Sequence, residues 1–219
     1  MSKNILVFCA HSDDEAVGMG GSIAKYIGEG NEIIKVVFSY GQRSHPHWHE
    51  RIVTKERLKE TDKANKYLGI SRTINFGLTD SQYFGFMGSQ VAKEAEEQEI
   101  NKKVETLIKK YNPEKIFLPF KKDSHADHRA VYEVVTQAIL KLRKKYQMYG
   151  FECWDLGDER HSYIYEDISD YLDRKVNYMK MFKSQWIYMY MLLPLVYYRA
   201  YVYGKHINVR YAERFYKIR

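Results

Sequence analysis

Short runs in which nearly every residue is apolar alternate along this chain with longer stretches where apolar residues recur every three or four positions. The runs at Asn4–Ala10, Glu32–Tyr40, Thr73–Phe76, Lys115–Phe120 and Met148–Trp154 are short, rich in Val, Ile and Phe, and predict buried β-strands. Between them the periodicity changes to that of helices. Ala16–Glu29 carries small or apolar residues at Gly20, Ile23, Ala24 and Ile27, and Glu50–Gly69 reads as a second helix ended by Gly69. Gln90–Tyr111 predicts a third, stopped before Pro113. The clearest helix begins just after His128, with Val131, Val134, Val135, Ala138, Ile139 and Leu142 on one face.

Strands alternating with helices imply right-handed crossovers and a mostly parallel sheet covered on both faces. The expected architecture is a Rossmann-like, doubly wound α/β fold of strand order 3-2-1-4-5. With no internal repeat, low-complexity tract or linker, residues 1–219 read as one domain: a core over about 1–155 and a helical, aromatic extension over 156–219.

The composition, 45% hydrophobic and 29% charged, is that of a globular protein. Two cysteines far apart, Cys9 and Cys153, form neither a disulfide framework nor a Cys-based zinc cluster. The six apolar residues Ile5–Ala10 are too few for a secretory signal, which leads us to expect a cytoplasmic protein. A net charge of +7 suits an anionic partner, but the lysines are spread through helices that also carry glutamates, and no nucleic-acid-binding motif is present.

Chemistry concentrates in two segments. "AHSDDE" (residues 10–15) follows the first strand and "DSHADHR" (residues 123–129) follows the fourth. In a sheet of the expected order these strands are neighbours at the switch point, where ligands bind outside the strands' carboxyl ends. An Asp-Asp-Glu run is by itself a common helix start. Two His/Asp-rich loops converging at the switch point form instead a set of imidazoles and carboxylates suited to a catalytic metal with an open position. "GMGGS" lacks the Gly-x-Gly-x-x-Gly spacing, and acidic residues precede it, so a dinucleotide-binding reading fails.

"AHSDDE" resembles the Ala-His-Pro-Asp-Asp-Glu signature, and "HADH" the His-Pro-Asp-His signature, of the LmbE-like (PIG-L) zinc-dependent N-deacetylases, which include GlcNAc-phosphatidylinositol deacetylase. "MGGS", "RLKETDKANKYLG", "FGLTDS", "DISDYLDRKVNYMKMFKSQ" and "YAERF" resemble further family segments, so the similarity spans nearly the whole chain. Ser12 and Ala126 stand where the family usually has proline, at positions that supply no ligand atom.

The resemblance implies that His11, Asp14 and His128 hold zinc, with water completing the site, and that Asp13 is the general base. It implies that His125, when protonated, stabilises the oxyanion, and that Asp127 orients a histidine. Glu15 reads as a helix-start residue or a supporting carboxylate. Arg57 is either a substrate contact or a solvated residue on a basic helix; Asp80 binds sugar hydroxyls or shapes its turn; Trp48 is a candidate stacking platform. His45, His47 and His49 alternate, but a substrate-covering loop is a better reading than a second metal site.

The expected activity is hydrolysis of the acetamide of an N-acetylglucosamine-like sugar in a glycoconjugate. Its rivals are deacylation of a non-sugar amide and a silent metal- or sugar-binding module. Ferrous iron suits the same ligands as zinc. The tail "WIYMYMLLPLVYYRAYVYG" (Trp186–Gly204), interrupted by Pro194 and Arg199, is too tyrosine-rich and broken for a membrane span. It reads as a helix pair in a core or oligomer interface, or as an amphipathic surface for a lipid-linked substrate. A homo-oligomer is the expectation that the resemblance brings.

Overall fold

A computed structural model describes residues 3–44, 47–80, 93–94, 98–154 and 162–218. In chain order these form β1 (Asn4–Cys9), α1 (Asp14–Gly28), β2 (Glu32–Ser39), α2 (Glu50–Leu68), β3 (Arg72–Leu78), α3 (Ile100–Tyr111) and β4 (Lys115–Pro119). There follow α4 (Ala126–Lys141), β5 (Gln147–Phe151), β6 (Tyr163–Asp167), α5 (Leu172–Met179), a 3₁₀ turn (Lys183–Gln185), α6 (Trp186–His206) and β7 (Ala212–Lys217). The sheet runs β3-β2-β1-β4-β5-β7-β6.

The first five strands pair in parallel in the expected order. Burial on both faces explains the apolar runs of β1, β2, β4 and β5, while β3, at the sheet edge, buries only Leu78 fully. Alternate residues of β1 feed two cores. Ile5, Val7 and Cys9 meet α1 together with side chains of α2, α5 and α6, while Leu6 and Phe8 meet α3 and α4.

The structure departs from the sequence reading in three places. Two antiparallel strands, β7 and β6, extend the sheet beyond β5. The helix expected over Gln90–Tyr111 is helical at 93–94 and over Ile100–Tyr111; residues 90–92 and 95–97 lie outside the described residues. Finally, the expected helix pair is one helix, α6, with Pro194 inside it. Pro194 lies on the solvent side, where the carbonyl it deprives of a partner can meet water.

Helix α1 is kinked at Met19 (φ −152°, ψ 19°). The buried Glu213 carboxylate of β7 accepts from the N–H groups of Gly21 (3.1 Å) and Ser22 (2.7 Å), acting as a cap for the second half of the helix. Lys175 Nζ, 2.6 Å away, balances that charge. At Gly18 a Cβ would collide with the Phe151 ring, so the glycine-rich segment lets α1 lie close on β5. "YAERF" therefore supplies, through Glu213, a support for the helix that begins at the acidic motif.

Candidate active site

The loop between β1 and α1 and the loop between β4 and α4 meet at the carboxyl end of the sheet. The rings of His11 and His125 are 4.9 Å apart, those of His125 and His128 also 4.9 Å, and those of His11 and His128 5.7 Å. Asp14 binds back into its loop, Oδ2 accepting from the His11 N–H at 2.9 Å. Its other oxygen, Oδ1, lies 3.2 Å from His128 Nε2 and 3.7 Å from His11 Nδ1. The ligand atoms of His11, Asp14 and His128 all fall within 4.8 Å of one another.

These residues fit a cation. Both ring nitrogens of His128 are buried without a hydrogen bond among the described residues. Nδ1 is 3.0 Å from Asp123 Oδ1, though off the line of a hydrogen bond, and Nε2 faces the convergence point with Asp14. Burial favours neutral imidazole, yet Asp127 and Asp14 outweigh it and take His11 up to about 10. His128 is likewise raised against its burial by Asp123 and Asp14. Asp14 is held well below the usual carboxylate range, since His128 and His11 overcome its own burial. Buried carboxylates here demand positive charge, as protons or as a bound metal.

His125 differs. Burial, then the charges of His11 and His128, push it down to about 3. As the residue preceding α4 it accepts the Asp127 N–H on Nδ1 at 3.2 Å, which leaves the proton of the neutral ring on Nε2. Burial and the positive charge of His11 and His128 thus disfavour a proton on His125. Asp127 is fully buried, its Oδ2 3.4 Å from His11 Nε2.

Asp13 precedes α1 but makes no capping bond with its side chain. Its Oδ1 instead accepts from Arg57 Nη2 at 3.0 Å. Arg57, only 4% exposed, is not the solvated helix residue of the alternative reading; its Nη1 stands 3.5 Å from Ser44 Oγ. Gly41 makes room for it: φ is +67°, and a Cβ there would sit 2.7 Å from Arg57 Cζ. Glu15 points away from the histidines into the core, taking very short hydrogen bonds from Lys35 Nζ and Tyr178 OH. Lys35 also donates to the Ser12 carbonyl at 2.7 Å, so one buried cation holds both the motif's backbone and its glutamate.

Asp80 is buried and accepts the Arg43 N–H at 3.1 Å with both oxygens, tying the end of β3 to the loop after β2. Burial pushes its carboxyl up. Trp48 lies on the surface, 52% exposed. His49 caps α2, its Nδ1 accepting from the Arg51 N–H. Among the described residues no potential metal-holding group includes His47 or His49, and His45 lies outside them.

The sequence reading missed Asp123, Cys153 and Lys35. Asp123 and Cys153 form with His128 another group of potential ligands, and His11, His125 and Asp127 a third. Asp123 was signalled by its place in the second motif, and Cys153 by following β5 at the same sheet edge.

Fold and site define the class: a doubly wound α/β protein with a buried His/Asp cluster at its switch point. A family model described as GlcNAc-PI de-N-acetylase (PIG-L) matches residues 6–139, and the chain belongs to this LmbE-like family. It is 24% identical over 232 residues, covering 96% of this chain and 81% of the relative, to diacetylchitobiose deacetylase of Thermococcus kodakarensis. The solved N,N'-diacetylchitobiose deacetylase of Pyrococcus horikoshii superposes with a TM-score of 0.79 at 21% identity, covering 98% of this chain and 83% of that one. GalB, a 4-carboxy-2-hydroxymuconate hydratase of Pseudomonas putida, superposes with a TM-score of 0.80 at 19% identity, covering 99% and 96%.

Proposed function

We propose that the protein is a metal-dependent N-deacetylase that hydrolyses the acetamide of an N-acetylglucosamine-like sugar in a glycoconjugate, releasing acetate and a free amine. The observation that carries this reading is the convergence of His11, Asp14 and the unsatisfied His128 Nε2, next in sequence to a carboxylate, Asp13, that does not cap the helix and is held by Arg57. Fold alone does not select the reaction, as the hydratase on the same scaffold illustrates.

His11, Asp14 and His128 would hold a divalent metal, zinc or ferrous iron, which supplies Lewis acidity toward the acetamide carbonyl and makes water more acidic. Asp13 takes the proton of the attacking water. Arg57 fixes the orientation of that carboxylate. The negative charge that develops on the carbonyl oxygen is met by His125, acting as a hydrogen-bond donor when protonated. When the C–N bond breaks, the proton collected on Asp13 passes to the leaving nitrogen. Asp127 and Asp123 hold His11 and His128 in place. Asp80 shapes the loop that borders the site, and Trp48 supplies an exposed aromatic face near the start of α2 for a sugar ring.

Amine release from a panel of N-acetylglucosamine conjugates and non-sugar acyl amides tests the reading. Sugar conjugates should be deacetylated, activity should vanish on chelation, and zinc or ferrous iron should restore it. Turnover confined to non-sugar amides would replace the substrate class, and metal binding without turnover on either class would leave a silent binding module.

A further inference from the structure

Helix α6, 21 residues and so about 31 Å long, has two faces of different character. Met189, Leu192 and Val196 pack into the core. Arg199, expected to interrupt the apolar run, turns inward and donates at 3.0 Å to the carbonyls of Cys153 and Trp154. The outward face is therefore uncharged from Trp186 to Tyr201. It exposes Trp186, Ile187, Tyr190, Met191, Tyr198 and Tyr201, each more than half exposed, in a continuous stripe at helical spacing.

The chain on either side of the stripe is basic, and the carboxylate nearest its start, Glu60 of α2, is engaged by Ser184 (2.7 Å). From Arg174 to Ala212 the chain contains seven Lys and Arg and no Asp or Glu. Lys180 and Lys183 are exposed just before α6, and Lys205 and Arg210 are exposed at its far end.

We propose that this face is a docking surface for an anionic lipid bilayer, with α6 lying in the plane of the membrane. Tyr and Trp dominate the exposed apolar set, and these side chains favour the headgroup boundary, where an apolar ring and a polar tip are both accommodated. Basic residues at both ends attract acidic headgroups. No helix among the described residues is long and apolar enough to cross a membrane, so the helix lies on the surface. A second copy is a poorer occupant, because pairing two such helices sets basic ends beside basic ends in either orientation.

The stripe also adjoins the site. Gln185 Nε2, at the start of α6, donates to Ser44 Oγ at 3.0 Å, and Ser44 in turn lies beside Arg57. Docking would bring that rim of the site to the lipid surface. The proposal concerns binding and does not depend on the deacetylase reading.

Flotation of the purified protein with phosphatidylcholine vesicles, with and without phosphatidylglycerol, is the test. The protein should float with the anionic vesicles and lose that binding at high salt. Two variants should each lose about tenfold or more of the partitioning while keeping the wild-type melting temperature: Tyr190→Ser/Met191→Ser/Tyr198→Ser and Lys183→Glu/Lys205→Glu. Absence of flotation on anionic vesicles would overturn the proposal, as would equal flotation of the triple variant. So would a wild-type dimer that the triple substitution splits, which assigns the face to a second copy.

Discussion

Arg57 Nη2 lies 3.0 Å from Asp13 Oδ1 in a buried contact between the second helix and the loop that follows the first strand. The pair joins segments 44 residues apart and aims the carboxylate assigned here as proton acceptor. Arg57→Leu should lower kcat by about tenfold to a hundredfold with little change in KM, while Arg57→Lys, which keeps the charge but loses the planar fork, should recover only part of the loss. Steady-state kinetics of both variants check this. A rise in KM alone would make Arg57 a substrate contact.

His128 and Asp123 separate ligation from support. His128→Ala should abolish both metal content and turnover. Asp123→Asn should retain a bound metal but weaken its affinity by about tenfold to a hundredfold, because the ring loses the carboxylate that orients it. Competition with a chelator, read by elemental analysis of the protein fraction, distinguishes the two.

His125 is expected to act as a hydrogen-bond donor to the oxyanion. His125→Ala should reduce kcat by about a hundredfold to a thousandfold at unchanged metal content. Loss of metal in this variant would instead place His125 among the ligands.

Lys35 is a stability prediction. Lys35→Met leaves the Glu15 carboxylate buried without its cation and should cost about 3–5 kcal/mol, measured by urea unfolding. Lys35→Met/Glu15→Gln should recover a large part of that loss. If the double variant is no more stable than the single one, the pair is not the source of the effect.

Glu166 predicts an acid dependence. Burial would raise its carboxyl, but the Tyr26 hydroxyl (2.6 Å) and Lys25 Nζ (2.9 Å) outweigh it and hold the group below its usual range. Its stabilisation is fully present above the ordinary glutamate value of about 4.3 and is lost as pH falls through the lower folded value. Glu166→Gln should therefore flatten the acid limb of the stability curve below about pH 4.3 and leave the neutral region parallel to wild type. An unchanged acid limb in chemical denaturation across pH 2 to 6, taken as a rough working window, would remove Glu166 as its source.

Strands β1, β2, β4 and β5 were legible because they are buried on both faces, so Leu6 to Phe8 and Ile116 to Leu118 read as unbroken apolar runs. The last two were not: "YIYED" and "AERFYK" mix tyrosines with charges, since β6 is an edge strand and β7 carries Glu213 inward. The His/Asp cluster was legible from two motifs and the switch point between their strands. Its supports were not, because Lys35, Lys175 and Glu213 are charged side chains in the interior, and sequence patterning assigns charge to the surface. The direction of Arg199 was hidden for the same reason. Pro194 misled in the opposite sense: α6 continues through it, and the carbonyl it leaves without a partner is on the solvent side.

The central claim is that Asp13 and Asp14, neighbours in one loop, have separate tasks: Asp14 binds metal and Asp13 moves a proton. Metal content and amine release measured together on Asp13→Asn test it most directly. The account predicts metal at the wild-type stoichiometry with turnover on an N-acetylglucosamine conjugate reduced by about a hundredfold or more. Wild-type turnover in that variant, or loss of its metal, would contradict it.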